Sequence, residues 1–526
     1  MSAAALVKQS RWKRFAPVFL PLTALISAAG YVLWACAQGH QGFPLDDAWI
    51  HQTYARNLAE AGQLAYLPGQ PSAGSTSPAW SFLLSVGYLL GVDFRLWAYL
   101  LGALAFAATA WLAYRLTLQL RPSRPVAALF AGFLCALEWQ LVWAAVSGME
   151  TMLFTALSLA LLLYFFEQLD QRRSSQDPAS LRTERLYVGA IGIGLLSGVL
   201  ILTRPEGLGL AGLVIVALPV LSRPKDERAV KANLLATGIT LASLALTLAP
   251  YIAFNLRTAG TPFPNTFYAK QAEYRLSIPL PLRFWRVLNP TLAGAQVLLL
   301  PGFCYAAYRL LRGRDWPALL PLLWWLAFLS VYALRLPVSY QHGRYSMPTI
   351  PLLLMYGTWG TALLLRPRSP SLVVRALSRA APAAIGLLAL LFWLRGGLAY
   401  QQDVDFINGE MVAAARWLDG HSAPEDLIAV HDIGAVGYLI DRPLLDLAGL
   451  ITPEVVPFIA DADLLVDWMV DHGVAYAVFF PDFSPTYAQL AADPRLQQVY
   501  CTGYAWTLSV GHKNLCVYRL SAGKSP

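Results

Sequence analysis

Two carboxylates stand side by side at Asp46 and Asp47 in GFPLDDAWIHQTYARNLAEAG, a few residues beyond a long apolar run. A carboxylate within hydrogen-bond reach of a hydroxyl can act as a general base, provided that charge developing elsewhere is stabilised. Neighbouring residues at a helix start point in different directions, so the pair can divide two tasks, one as base and the other as orienter or metal ligand. A plainer role is also open, since either residue could be the N-cap of the helix that follows. Complementary positive charge occurs in NLRTAGTPFPNTFYAKQAEYR, where Arg257, Lys270 and Arg275 could meet a phosphate or could simply be solvated. Other ionisable residues lie at the ends of apolar runs: Glu150 in SGMETMLF, Arg204 and Glu206 in LTRPEG, His342 and Arg344 in SYQHGRYSMP. Ionisable groups there are costly and often functional, although Arg204 and Glu206 could merely pair with each other.

The elements that must hold these residues are mostly apolar. Of 526 residues 57% are hydrophobic and 13% charged, about half the charge of an ordinary soluble domain. This is the composition of a membrane protein. Apolar segments near 15–37, 95–118, 125–147, 149–168, 186–203, 206–221, 232–254, 291–311, 316–334, 346–365 and 380–399 give about eleven transmembrane helices. The first is too long for a signal-peptide core and reads as an uncleaved span. Pro78 to Gly91 is apolar but too short to span, and reads as interfacial or re-entrant. After Asp47, Ile50, Tyr54, Leu58 and Ala61 recur at about four-residue spacing and Gly62 stops the run, which predicts a helix lying on the membrane.

The formal net charge is +8, and its basic clusters obey the positive-inside rule, so a nucleic-acid partner is not implied. With Pro78–Gly91 left out of the count, the Arg/Lys clusters at 8–14, 115–124, 172–185, 223–231, 309–314 and 366–379 fall on one face. The N-terminus is therefore expected in the cytoplasm. Residues 38–94, a loop at 255–290, a turn at 335–345 and the tail from Tyr400 are expected outside. Two domains follow: residues 1–399 in the membrane, with two interfacial helices in the outer loop 38–94, and an extracytoplasmic domain at 400–526. The tail alternates helical stretches with β-type runs, DLIAVHD, RPLLDLAG, AYAVFFP and LCVYRL, which predicts a small α/β domain.

Five cysteines show no metal spacing; Cys501 and Cys516 in the tail could pair or stay as thiols. GLGLAG at 207–212 fits GxGxxG but begins a membrane helix with no strand before it, so close helix packing is its reading. AVHD, with His431, has no nucleophile placed near it by any spacing rule, and reads as core.

DDAWIHQTYARNLAEAGQLAYLPGQPSAGSTSPAW, GMETMLF, LTRPEG, PFPNTFYAK and YQHGRYSMP form a series over most of the chain. It resembles the membrane glycosyltransferases of the GT-C fold, and among them the actinobacterial cell-wall arabinofuranosyltransferases. The resemblance implies a bacterial cytoplasmic-membrane enzyme of inverting type. Its donor would be a polyprenyl-phosphate sugar and its acceptor an envelope glycan, lipid or protein. By the same resemblance Asp46 and Asp47 are catalytic, with Asp46 favoured as base. Asp47 would then orient, or bind a divalent cation such as Mg, Mn or Ca. Glu150, Arg204, Glu206, Asn265, Tyr268, Lys270, His342 and Arg344 become candidates to line the substrate cavity. A lipid or sugar transporter fits less well, because the ionisable residues sit at the outer edges rather than the midplane and no repeated halves are seen. A noncatalytic scaffold would leave the acidic pair and Lys270 on one face without a reason.

Overall fold

The computed structural model describes residues 3–174, 181–223, 226–266, 278–365 and 367–521. Among them, seven helices are long and apolar enough to cross a bilayer, and nine if each of two bent pairs counts as one span. The bent pairs are Pro125–Leu137 with Trp139–Ala145, at 56°, and Leu280–Leu292 with Gln296–Arg312, at 116°. Glu138 makes the first bend: its side chain accepts the Leu141 N–H at 2.8 Å and so starts a new helix. Nine of the eleven expected segments pass this test of length and composition. Residues 206–221 and 346–365 form the shorter helices Gly207–Ser222 and Ile350–Leu364, of 16 and 15 residues, fewer than the roughly 20 of an ordinary span; the first still runs from Arg204 beside Glu150 to Leu221 beside Arg173. Pro78–Leu89 is a helix of 12 residues, about 18 Å long and too short to cross.

The helix Asp47–Ala61 carries the acidic pair at its start, but it does not lie open on a membrane surface as expected. Ala48, Trp49, His51, Gln52, Thr53, Tyr54, Ala55 and Asn57 are buried, because neighbours close on the helix from several sides: Tyr88 Oη of helix Pro78–Leu89 donates to Gln52 at 2.9 Å, His51 meets Glu150 at 3.3 Å, and helix Ile433–Leu439 packs alongside. The Arg56 guanidinium donates to the Tyr438 carbonyl at 3.0 Å. Asn57 donates to the carbonyls of Ala65 and Tyr66 at 3.0 and 2.8 Å, fastening the hairpin of β1 (Ala65–Leu67) and β2 (Gln70–Pro71) against the helix.

The last membrane helix crosses residue 400 without a break and ends at His421. It contains one π-helical turn, Asn408–Val412, a feature often found where a helix serves a second purpose. Here the extra residue turns Glu410 into the C-terminal domain. Its fully buried carboxylate accepts from Thr507 Oγ1 at 2.5 Å, Asn514 Nδ2 at 2.8 Å and the Leu515 N–H at 2.9 Å, and from the Thr502 hydroxyl.

Beyond that turn comes a five-stranded sheet built from β3 (Leu427–Val430), β4 (Leu444–Asp446), β5 (Val474–Phe479), β6 (Leu496–Cys501) and β7 (Cys516–Leu520). Their order is β4-β3-β5-β7-β6. β3 runs parallel to β4 and β5, and β7 antiparallel to β5 and β6. Four of the strands coincide with the runs expected from sequence. The fifth, β6, alternates too few apolar residues to stand out, and is fixed by pairing Cys501 opposite Cys516, where the two form a disulfide.

Removing the Glu410 carboxylate leaves four donors without their acceptor. Glu410→Ala is expected to cost about 3 kcal/mol, read as a fall in the melting temperature of the detergent-solubilised protein; an unchanged transition would contradict the clamp.

Candidate active site

Asp46 has helical backbone angles, φ −69° and ψ −35°, and makes no side-chain cap bond to its own helix. Its carboxylate instead reaches the C-terminal domain. Oδ2 accepts the Gly434 N–H at 2.6 Å and Oδ1 the Ala435 N–H at 2.7 Å, so Asp46 supplies partners for the otherwise open amides at the start of helix Ile433–Leu439. The approach depends on glycine: a Cβ on Gly434 would sit 2.1 Å from the Asp46 carbonyl oxygen. Asp46 is 6% exposed. Burial, then the neighbouring Asp432, push its carboxyl up to about 8 against the pull of the two amides.

Asp47 points elsewhere. Its carboxylate is 29% exposed and pairs with Arg344, whose Nη2 donates to Oδ2. Arg344 is itself buried, with its guanidinium 4.8 Å from the Tyr345 ring centre. Burial works against its charge, yet Asp47 and the tyrosines hold its pKa well above the ordinary arginine value. Two cavities, each of about 490 Å³, meet at Asp47, Ile50, Arg344 and Leu450, which line both.

On the membrane side the cavity has an apolar half and a charged end. Leu208, Trp324, Phe328 and Val331 line the former; Arg204, Glu206, Arg335 and Arg344 line the latter, along with Glu150 and His51. The charges interlock. Arg204 lies 3.6 Å from Glu150 and 3.4 Å from Glu206, and donates to Tyr332 Oη at 2.7 Å. Glu150 also meets His51 Nε2 at 3.3 Å. Burial alone would raise the Glu150 carboxyl, but His51 and Arg204 hold it below the usual carboxylate range. Gly148, at φ +80°, makes the turn that presents Glu150, and a Cβ there would strike Phe43 at 2.7 Å. Among the described residues, the buried Nε and Nη1 of Arg344 find no acceptor.

Of the residues singled out from sequence, Asp47, Glu150, Arg204, Glu206 and Arg344 therefore gather at one cavity. Arg204 and Glu206 do pair, as the plainer reading had it, but inside that cavity and with Glu150 as a third member. Asn265 does not join them. Its N–H donates to the Ala73 carbonyl at 2.9 Å and it lines a separate groove near the hairpin, while its neighbour Thr266 reaches the cavity. Arg257 is exposed and lines none of these cavities. Tyr268, Lys270 and Arg275 lie outside the described residues.

His342 is a correction to the expected lining. Its Nε2 meets Asp403 Oδ2 at 2.7 Å, between the rings of Trp139 and Trp143 at 5.2 and 5.4 Å. Gln341 and His342 both have positive φ, 51° and 58°, a region that non-glycine residues seldom adopt. The Asp403 contact, with Gln140 donating to the His342 carbonyl at 2.6 Å, holds this turn, and the turn aims Arg344. His51, Tyr332, Arg335 and Tyr345 were missed from sequence. Only their closeness to the ends of apolar runs could have pointed to them.

Among the described residues no three His, Cys, Asp or Glu side chains converge into a site that would hold a divalent cation by protein ligands alone. Asp47 faces a guanidinium, and Glu150 faces a guanidinium and an imidazole.

The fold is the GT-C fold of membrane glycosyltransferases, in a polytopic helical membrane protein with a C-terminal α/β domain. Among solved structures, the apo oligosaccharyltransferase of Archaeoglobus fulgidus aligns with TM-score 0.61 and 15% identity, over 91% of this chain and 71% of that one. ArnT from Cupriavidus metallidurans bound to undecaprenyl phosphate aligns with TM-score 0.60 and 18% identity over 100% of both chains. The mycobacterial arabinofuranosyltransferase AftD aligns at TM-score 0.44 and 18% identity, over 95% of this chain and 41% of that one. Residues 397–518 match a family described as Domain of unknown function (DUF8728). No curated protein matches the sequence.

The raised Asp46 carboxyl sets a pH dependence. A group raised in the folded state favours folding fully below its ordinary value of 3.8 and loses that contribution as pH rises through about 8. Thermal stability is expected to fall over that window, and Asp46→Asn, which cannot ionise, is expected to flatten the slope. Identical slopes in the two proteins would refute the assignment.

Proposed function

We propose that the protein is an inverting glycosyltransferase that moves a sugar from a polyprenyl-phosphate donor to an acceptor of the cell envelope on the outer face of the cytoplasmic membrane. The observation that carries this reading is the Asp47–Arg344 pair at the meeting point of two cavities, one of them apolar along the membrane helices and arginine-rich at its end. The apolar half suits an isoprenoid chain. Arg204, Arg335 and Arg344 suit its phosphate, and the Arg344 N–H groups lacking an acceptor give that phosphate a place to bind. ArnT, similar in fold, has been solved with undecaprenyl phosphate.

In this reading Asp47, rather than the initially favoured Asp46, is the base. Both Asp46 oxygens already accept backbone N–H groups, and Asp46 serves to position the loop. Asp47 removes the proton from an acceptor hydroxyl as that oxygen bonds to the anomeric carbon. The bond from that carbon to the phosphate oxygen breaks on the opposite side, polyprenyl phosphate leaves, and the arginines stabilise its charge. One displacement inverts the anomeric centre, and Asp47 returns its proton to solvent.

The orientation expected from the basic clusters, N-terminus inside and C-terminal domain outside, belongs to the same proposal. The Cys501–Cys516 disulfide agrees with an oxidising face.

The test is release of polyprenyl phosphate by purified protein from a panel of polyprenyl-phosphate-linked pentoses and hexoses. Asp47→Asn is expected to lower release at least about a thousandfold, and Asp46→Asn much less. Equal losses in the two variants would reverse the division of roles; full activity of Asp47→Asn would sink the mechanism. Movement of sugar lipid across sealed vesicles with no covalent product would point to transport instead.

A further inference from the structure

The cavity on the C-terminal-domain side of Asp47 is built differently from its partner. At about 490 Å³ it lies within the range of small-ligand pockets. Aromatic rings line two of its sides. Phe406 stacks on Phe480 at 6.1 Å and meets Trp506 at 5.8 Å, while Phe483 lies 4.3 Å from the His431 ring. Trp506 and Phe483 are 40% and 41% exposed, and large rings left open beside a reactive carboxylate call for a ligand to cover them.

Polar groups alternate with the rings. Asp482 accepts from His512 Nδ1 at 2.9 Å and from the Lys513 N–H at 3.0 Å, and Asp432 meets His431 Nδ1 at 3.2 Å. Besides Asp46, whose carboxyl is raised to about 8, the lining holds three carboxylates, at Asp47, Asp432 and Asp482, against two permanent cations, Arg344 and Lys513, with His431 and His512 alongside. Arg344 is already paired with Asp47.

This balance leaves no surplus of permanent cations for a phosphate-rich or acidic acceptor. An acyl chain would cover the rings but take the carboxyl groups and their partners out of water while offering them no polar group of its own. A neutral polyhydroxylated ring answers both features. Its C–H face packs on an aromatic ring, and its hydroxyls donate to carboxylates.

We propose that this cavity binds the acceptor, and that the acceptor is a neutral carbohydrate whose ring stacks against Trp506 and Phe483 with one hydroxyl directed at Asp47. The inference rests on the glycosyl-transfer reading and narrows it from glycan, lipid or protein to glycan.

The experiment uses the full chain in detergent, a labelled polyprenyl-phosphate sugar, and three acceptor classes: neutral alkyl mono- and disaccharides, an unmodified peptide mixture, and a phosphorylated glycolipid. Label is expected to pass to at least one neutral saccharide. Trp506→Ala is expected to raise that acceptor's KM about tenfold or more, with Trp506→Phe recovering most of the loss, as a merely unfolded variant would not. Transfer only to peptide or phosphoglycolipid, an acceptor KM unmoved in both Trp506→Ala and Phe483→Ala, or polyprenyl phosphate release with no saccharide labelled would each overturn the acceptor assignment while leaving the transferase reading in place. Neither release nor transfer from any donor would overturn both.

Discussion

The geometry of this protein hangs on one carboxylate that does no chemistry in the proposed reaction. Helix starts expose amides that need partners, and Asp46 provides both its oxygens to the amides of Gly434 and Ala435 across 388 and 389 residues of chain. That bond brings the C-terminal domain down over helix Asp47–Ala61. The domain supplies the far wall of the second cavity, and the neighbouring Asp47 turns instead to Arg344 where the two cavities meet. Had Asp46 capped its own helix, its oxygens would not have reached these amides.

The charges around Asp47 obey a second constraint. Buried ions are tolerated when paired and hydrogen-bonded, and here they form an interlocked series: Asp47 with Arg344, Arg204 with Glu150 and Glu206, Glu150 with His51. Asp47 and Glu150 are each matched by a cation from another part of the chain, and Glu206 by Arg204 two residues before it. The arginines are thereby fixed in place before any substrate arrives, and fixed cations in a water-poor pocket stabilise departing negative charge with little reorganisation.

Much of this was legible in the sequence. Long apolar runs located the membrane helices, and ionisable residues at their ends marked Glu150, Arg204, Glu206 and Arg344 because such residues are costly there. The acidic pair was visible too, but its division of labour was not, since two adjacent aspartates look alike until the partners of each are known. Those partners, Gly434 and Arg344, lie hundreds of residues away and leave no local pattern. His431 reads as core by spacing and is buried, yet it also lines a cavity, because a loop residue's surroundings are set by what folds over it. The burial of helix Asp47–Ala61 escaped for the same reason. Its stripe of Ile50, Tyr54, Leu58 and Ala61 describes one face, and nothing local says that more distant parts of the chain will cover the other.

The span of the Asp46 tie also bears on how the protein is made. Residue 46 leaves the ribosome early, and residues 434 and 435 only after the last membrane helix. Until nearly the whole polypeptide has been synthesised, Asp46 has neither of these amides to meet, and the second cavity beside Asp47 lacks the walls that the C-terminal domain supplies. A chain cut short before residue 434 therefore carries the acidic pair but neither the tie nor that cavity.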